Sequence, residues 1–416
     1  MSVQGGGGAG ILATLDNREI GRFYIFLAIL ATIGGFLFGF DSSNIGSALV
    51  FLPFHLGDFG TGIVVAGASL GSFVGALAAG PLTDRFGRKA LLLVDSGLFA
   101  LGSLISAVAP EAVTLIIGRL IIGLSIGADS AIATAYISEF APKARRGSLA
   151  IIQQWMITIG ILFAYIIAVI ILLIAPHAAG TVDWRILLGV GFIPAIVSLL
   201  LRARMPESPR WLLEKGREAD VVTAMDQLGI AVTPEEVHAE ALAVQSERRQ
   251  VARQHNWTPA VVRALIIVCV FFTFQQITGI NVAFYYGPHL LSPYFVGGHR
   301  TAVQAEVAGV YAAGILALVN VCATYFAFRF IDKVGRRRLA MSAYAVMFVF
   351  LLVGAYGAAF MHGVGQLLVI MVGFAIFISA FAIGIGGTGW LIQGEVFPTA
   401  VRGRAAAIGA AADWLA

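Results

Sequence analysis

The sequence predicts an all-α membrane protein built as two six-helix bundles around a central cavity. Three observations predict it. Apolar residues make up 59% of the 416, and Asp, Glu, Lys and Arg only 12%, whereas soluble domains are about 25% charged. Ten apolar runs each approach the roughly 20 residues that a helix needs to cross a bilayer. Two charged motifs, after the second and fourth runs, recur after the eighth and tenth. Such a composition excludes a soluble enzyme, an extracellular disulfide scaffold and a disordered chain. The 27 Lys and Arg against 23 Asp and Glu give +4, too mild for a nucleic-acid partner. Cys269 and Cys322 sit in apolar runs and imply no redox or metal framework.

Residues 1–22 read as a disordered tail, Gly-rich at Gly5–Gly8 and without the basic start of a signal peptide. The first span, 23–48, carries Asp41. The second, 60–82, carries a ladder of Gly67, Gly71 and Gly75, and the fourth, 112–137, another of Gly123 and Gly127; small residues at that spacing let helices pack closely. The third, fifth and sixth cover 90–109, 149–175 and 184–202. The 203–260 stretch is rich in both charges and reads as short amphipathic helices, for example around Glu235–Arg253. It divides 23–202 from 261–416. The seventh to tenth spans cover 261–290, 303–330, 339–360 and 366–393. An eleventh begins near Ala405, and the twelve residues to Ala416 are too few to cross, so a helix cut short is expected.

Basic residues fix the orientation, because cytoplasmic loops collect Lys and Arg. With the N-terminus inside, 24 of the 27 fall on the cytoplasmic side. Arg185 and Arg300 fall outside, and Arg119 lies within a span.

The repeat has two parts. Asp84 to Lys89 after the second span is echoed by Asp332 to Arg338 after the eighth. Glu139 with Arg146, after the fourth span, is echoed by Glu395 with Arg402, after the tenth. A parallel repeat with a cavity between its halves is a transporter architecture. These strings carry a resemblance. Gly-Phe-Leu-Phe-Gly-Phe-Asp (35–41), Asp-Arg-Phe-Gly-Arg-Lys (84–89), Pro-Glu-Ser-Pro-Arg-Trp-Leu (206–212), Gln-Gln-Ile-Thr-Gly-Ile-Asn (275–281) and Gly-Glu-Val-Phe-Pro-Thr-Ala-Val-Arg-Gly (394–403) resemble the sugar porters of the major facilitator superfamily. The resemblance covers about residues 23–416 and implies the major facilitator fold of twelve helices and proton-coupled monosaccharide transport by alternating access.

A sugar presents hydroxyls that both donate and accept, over an apolar C–H face. Amide side chains also do both, and aromatic rings cover the apolar face. The seventh span supplies Gln275, Gln276, Asn281 and Tyr285. They do not share one face of a straight helix, so a break at Gly279 is expected, which is tolerated only where backbone is not exposed to lipid. The competing reading is interhelical hydrogen bonding. Gln154, Asn320, Trp390 and Phe38 join the candidate site because the resemblance implies them. Asp413, before Trp414, stands where the family usually has Asn or Gln. Asp129 in Gly-Ala-Asp-Ser (127–130) is unusual for sugar porters and resembles a string of phosphate–proton symporters, and Thr134 stands where sugar porters commonly keep Pro.

Charges inside spans are costly and usually functional. Asp41 lies about 27 Å along the first span from Phe23, and Arg119 about 10 Å into the inward-running fourth. Both depths fall in the outer half, so an ion pair is possible, either static or titrating. The resemblance implies the second, with Asp41 and Arg119 coupling protons to transport. Asp84, Arg88, Glu139, Arg146, Asp332, Arg336, Glu395 and Arg402 are candidates for a cytoplasmic gate, against the plainer reading of basic orientation signals. A membrane enzyme is not expected, because no metal motif or cofactor fingerprint occurs; neither is any cofactor. The alternatives to a sugar symporter are a proton symporter for phosphate or another organic solute, and a non-transporting sugar receptor. The expected setting is the plasma membrane with the N-terminus cytoplasmic, and the expected partners are the bilayer, a sugar and protons, with the chain a monomer.

Overall fold

The computed structural model describes residues 10–17, 22–54, 56–140, 146–174, 179–252, 257–295 and 302–416, and no strand occurs among them. The helices are α1 (Ile11–Asn17), α2 (Arg22–Leu49), α3 (Gly57–Phe86), α4 (Arg88–Val108), α5 (Ala112–Phe140), α6 (Arg146–Ile174), α7 (Trp184–Val190), α8 (Phe192–Arg202), α9 (Pro209–Glu214), α10 (Glu218–Gln227), α11 (Pro234–Ala252), α12 (Pro259–Ile277), α13 (Ile280–Tyr285), α14 (Gly287–Leu291), α15 (Ala302–Val334), α16 (Arg336–Phe360), α17 (Gly363–Phe381), α18 (Gly387–Val396) and α19 (Thr399–Leu415). Ten segments among the described residues are long and apolar enough to cross a membrane. Their exposed Leu, Ile, Val and Phe side chains, such as Ile266, Ile267, Phe348 and Leu352, form the apolar outer surface that lipid requires.

Glycine spacing sets how closely the helices approach. A Cβ on Gly71, Gly75, Gly123 or Gly127 would run into the facing backbone of α3 or α5. The Ser72 hydroxyl crosses the same seam and donates to the Gly123 carbonyl at 3.0 Å. Contacts between the first six spans and the later ones come from α6 on α15, α19 on α3 and α5, and α13 on α2. These contacts frame the central cavity.

Three elements differ from expectation, and a fourth, the seventh span, breaks where it was expected to. Ile11–Asn17, expected within a disordered tail, form α1. Ile11 and Leu15 are buried, and the Leu12 amide lies 3.5 Å from the Glu240 carboxylate on α11. Apolar residues at 11, 12 and 15 share one helical face, and α9 to α11 cover it; residues 1–9 and 18–21 lie outside the described residues. The sixth span bends at Gly191, between α7 and α8. The tenth is interrupted by a π-helical turn, Ala382–Gly386. The seventh breaks at Gly279, as its polar pattern anticipates; φ there is +79°, a left-handed conformation that glycine adopts without steric cost.

Candidate functional site

The break at Gly279 gives α12 and α13 different facings. Gln275 and Gln276 end α12, Asn281 begins α13, and all three line one cavity with Phe38, Ser42, Gln154, Asn320, Trp390 and Asp413. The cavity has a volume of about 50 Å³, too small for a monosaccharide, so in this conformation the walls are drawn together. Apolar cover comes from Ile157, Ile161, Ile280, Phe284 and Phe381. The cavity therefore combines amides, aromatic rings and one carboxylate, and no Lys or Arg is among its described lining residues.

The polar groups are ordered into a relay. Asn281 donates to the Gln276 carbonyl oxygen at 2.7 Å. Gln276 in turn donates to the Asp413 carboxylate at 2.6 Å. Gln275 is buried with its Oε1 unpartnered. Two small residues of the tenth span make room for the glutamines. A Cβ on Gly386 would stand 3.1 Å from Gln154 Nε2, and one on Gly389 would stand 2.8 Å from Gln275 Oε1. Phe38 meets Trp414 edge to face at 4.8 Å, and Trp390 leans on Phe272 at 5.2 Å. Trp390 is thus held inside the protein, not at the membrane surface.

Tyr285 is the exception among the expected cavity residues. It lies outside the cavity lining and is buried against α2, with its hydroxyl 3.5 Å from that of Ser42. Its position at the end of α13 turns it toward α2. The lining residues Ser42, Ile157, Ile161, Ile280, Phe284 and Phe381 were absent from the expected set. The apolar ones carry no distinguishing signal among 59% apolar residues.

Asp41 and Arg119 form an ion pair through Nη1 and Oδ1. Arg119 is fully buried, Asp41 nearly so. The guanidinium also donates from Nε to the Val64 carbonyl at 3.3 Å, and its Nη2 has no partner. Asp41 is one residue from Ser42 on the cavity wall, so charge at the pair and occupancy of the cavity are neighbours.

At the cytoplasmic end Arg88 bonds the Glu139 carboxylate at 2.9 Å and approaches Asp84 at 3.9 Å. The linker closes on the same point. Arg210 donates to the Glu139 carbonyl at 3.2 Å, and Trp211 Nε1 to the Asp84 carbonyl at 3.2 Å. Glu207 accepts from the backbone amides of Arg88 and Lys89 at 3.0 and 3.2 Å. Burial raises the Glu207 carboxyl above the usual range despite these donors. Arg336 begins α16. The side chains of Arg146, Asp332, Glu395 and Arg402 lie outside the described residues.

Asp129 does not face the cavity. It pairs with Arg202 at 2.5 Å, and Arg202 also pairs with Asp95 at 2.8 Å. Arg202 is fully buried although it ends the sixth span at the edge of the charged linker. An isolated Asp95 within an apolar run was the signal for its partner.

A family profile described as "Sugar (and other) transporter" matches residues 27–416. The arabinose-proton symporter of Bacillus subtilis (strain 168) is 32% identical over 401 residues, spanning 94% of this chain and 83% of the relative. The galactose-proton symporter of Escherichia coli (strain K12) is 32% identical over 418 residues, spanning 96% and 85%. Among solved structures, the partially occluded inward open conformation of the xylose transporter XylE from E. coli superposes with a TM-score of 0.77 at 26% identity, covering 95% of this chain and 89% of that one.

Proposed function

We propose that this chain, which belongs to the sugar transporter family and has the major facilitator fold, carries a monosaccharide across the plasma membrane together with protons by alternating access. The observation that carries this is the placement of an amide and aromatic cavity next to a buried carboxylate–guanidinium pair. Asn281, Gln276, Gln275, Gln154 and Asn320 offer donors and acceptors to hydroxyls, and Phe38 and Trp390 offer rings to the C–H face. A cavity of about 50 Å³ has to widen to admit a sugar, and widening means separation of the helices that meet across it. Asp41 takes the proton and Arg119 is its counter-charge: protonation removes the attraction that joins the outer halves of the first and fourth spans. The N-terminus lies in the cytoplasm, where basic residues collect, and the chain acts as a monomer.

Phosphate fits less well. An anion needs a cation, none of the described lining residues is basic, and Asp413 would repel it. Asp129, which together with Asp413 prompted that alternative, is taken up by Arg202. The test is uptake of a panel of labelled sugars, with phosphate included, into proteoliposomes with and without a proton gradient. Gradient-stimulated accumulation of at least one sugar is expected. Accumulation of phosphate and of no sugar would reverse the proposal.

A further inference from the structure

A second buried charge cluster lies apart from the cavity and is used by no step proposed above. Arg202 on α8 bonds Asp95 on α4 through Nη1 at 2.8 Å and Asp129 on α5 through Nη2 at 2.5 Å. Its remaining donors reach the α2 carbonyls of Leu30 and Ala31 at 3.3 and 3.0 Å, and Nη1 also approaches the Leu92 carbonyl. One guanidinium therefore ties four helices. All three side chains are nearly or fully sealed from solvent: Asp95 and Asp129 are 2% exposed and Arg202 0%. The other polar neighbours are uncharged: Ser96, whose hydroxyl donates to Asp95 at 3.2 Å, and Ser198, 3.0 Å from Ser96. No further charged side chain is recorded against the cluster among the described residues.

The charges do not balance. Two carboxylates and one guanidinium sum to −1 in a dry interior, where an unpaired ion is strongly disfavoured. Both carboxyl groups bond the same guanidinium, one at Nη1 and the other at Nη2, and two like charges set side by side in a buried site do not both ionise. Asp95 Oδ2 is buried and has no partner, which leaves an oxygen for a proton.

We infer that the Asp95–Arg202–Asp129 cluster is a second proton-binding site, holding one proton shared between its two carboxyl groups. It is distinct from Asp41 and Arg119. On α2, Leu30 and Ala31 precede Asp41 by ten residues or more, and on α5 Asp129 follows Arg119 by ten, about 15 Å at helical rise. Every partner lies on α2, α4, α5 or α8, which pack on one another. Movement across the cavity leaves the cluster intact, so its proton stays bound through the cycle and fastens these helices together. The cation in the cluster neutralises one carboxylate and the proton the other.

Infrared spectroscopy of the purified full chain at neutral pH tests this without reference to transport. Subtracting Asp95→Asn from the parent should show the loss of one protonated-carboxyl C=O band. Asp129→Asn should lose one band also, because the carboxylate left behind ionises against Arg202. The double variant should lose no more than either single one. Loss of carboxylate stretches alone, with no protonated band, overturns the inference. Stability gives a second readout. The folded parent holds a proton that its unfolded chain has lost, so its Tm falls as pH rises for as long as that proton stays bound. Asp95→Asn should lose less Tm over the same range; an equal loss counts against the site. Failure of both Asn variants to fold also counts against it, since Asn stands in for the protonated acid. In a parent that accumulates sugar, abolished uptake by folded Asp95→Asn would overturn the permanence of the proton.

Discussion

Truncating Gln276 removes the centre of the polar relay. In the folded protein its amide donates to Asp413 at 2.6 Å and accepts from Asn281 at 2.7 Å. On the proposed function, Gln276 exchanges these partners for sugar hydroxyls when the cavity widens. Gln276→Ala removes one donor and one acceptor from a half-buried site. At about 0.5–1.5 kcal/mol for each neutral hydrogen bond the loss is about 1–3 kcal/mol, or roughly 5- to 150-fold in Kd. The variant also leaves the Asp413 carboxylate and the Asn281 amide without this partner, so a lower Tm accompanies the weaker binding. Calorimetric titration with the sugar that the parent accumulates best measures the first effect, and thermal unfolding the second. Gln276→Glu separates geometry from charge: it keeps length but sets a second carboxylate against Asp413, and should bind more weakly still at neutral pH. Parent-like affinity in Gln276→Ala would take α12 out of the binding site and refute the reasoning from the cavity.

Glu139→Ala removes the acceptor that holds Arg88 at 2.9 Å; if this pair holds the inner side closed, the population shifts toward inward-facing states and an outward-selective inhibitor binds more weakly. Inhibitor affinity equal to the parent's would leave these charges as orientation signals. Asp413→Asn keeps the shape of the cavity wall and an acceptor for Gln276 while removing its titrating group. Sugar binding should persist with a flatter pH dependence than the parent's, read by the same titration; an unchanged profile would assign the pH dependence elsewhere.

Much of the fold was legible because lipid imposes simple rules. Runs of apolar residues marked the spans, and glycines at 67, 71, 75, 123 and 127 marked the α3–α5 seam. The break at Gly279 was legible because Gln275 and Asn281 cannot share a straight face. Other features needed tertiary packing. Tyr285 belongs to the same polar string, yet its place at the end of α13 turns it onto α2. Arg202 sits beside Arg204 at the edge of a charged linker, and only the packing of α8 on α4 draws it inward to Asp95 and Asp129. Helix α1 follows a Gly-rich stretch that reads as disorder; its three apolar residues are too short a pattern until α11 covers them.

Asp41→Asn tests the coupling of protons to sugar most directly. The amide keeps the size of the carboxylate and an acceptor for Arg119, but it cannot take up or release a proton. Two measurements are made on the same proteoliposomes: sugar accumulation driven by an imposed proton gradient, and counterflow exchange with no gradient. Accumulation should be abolished while exchange continues, since both legs of exchange run with the cavity loaded. Accumulation at the parent's level would contradict proton coupling through Asp41 and leave the Asp41–Arg119 pair as a fixed tie between two helices.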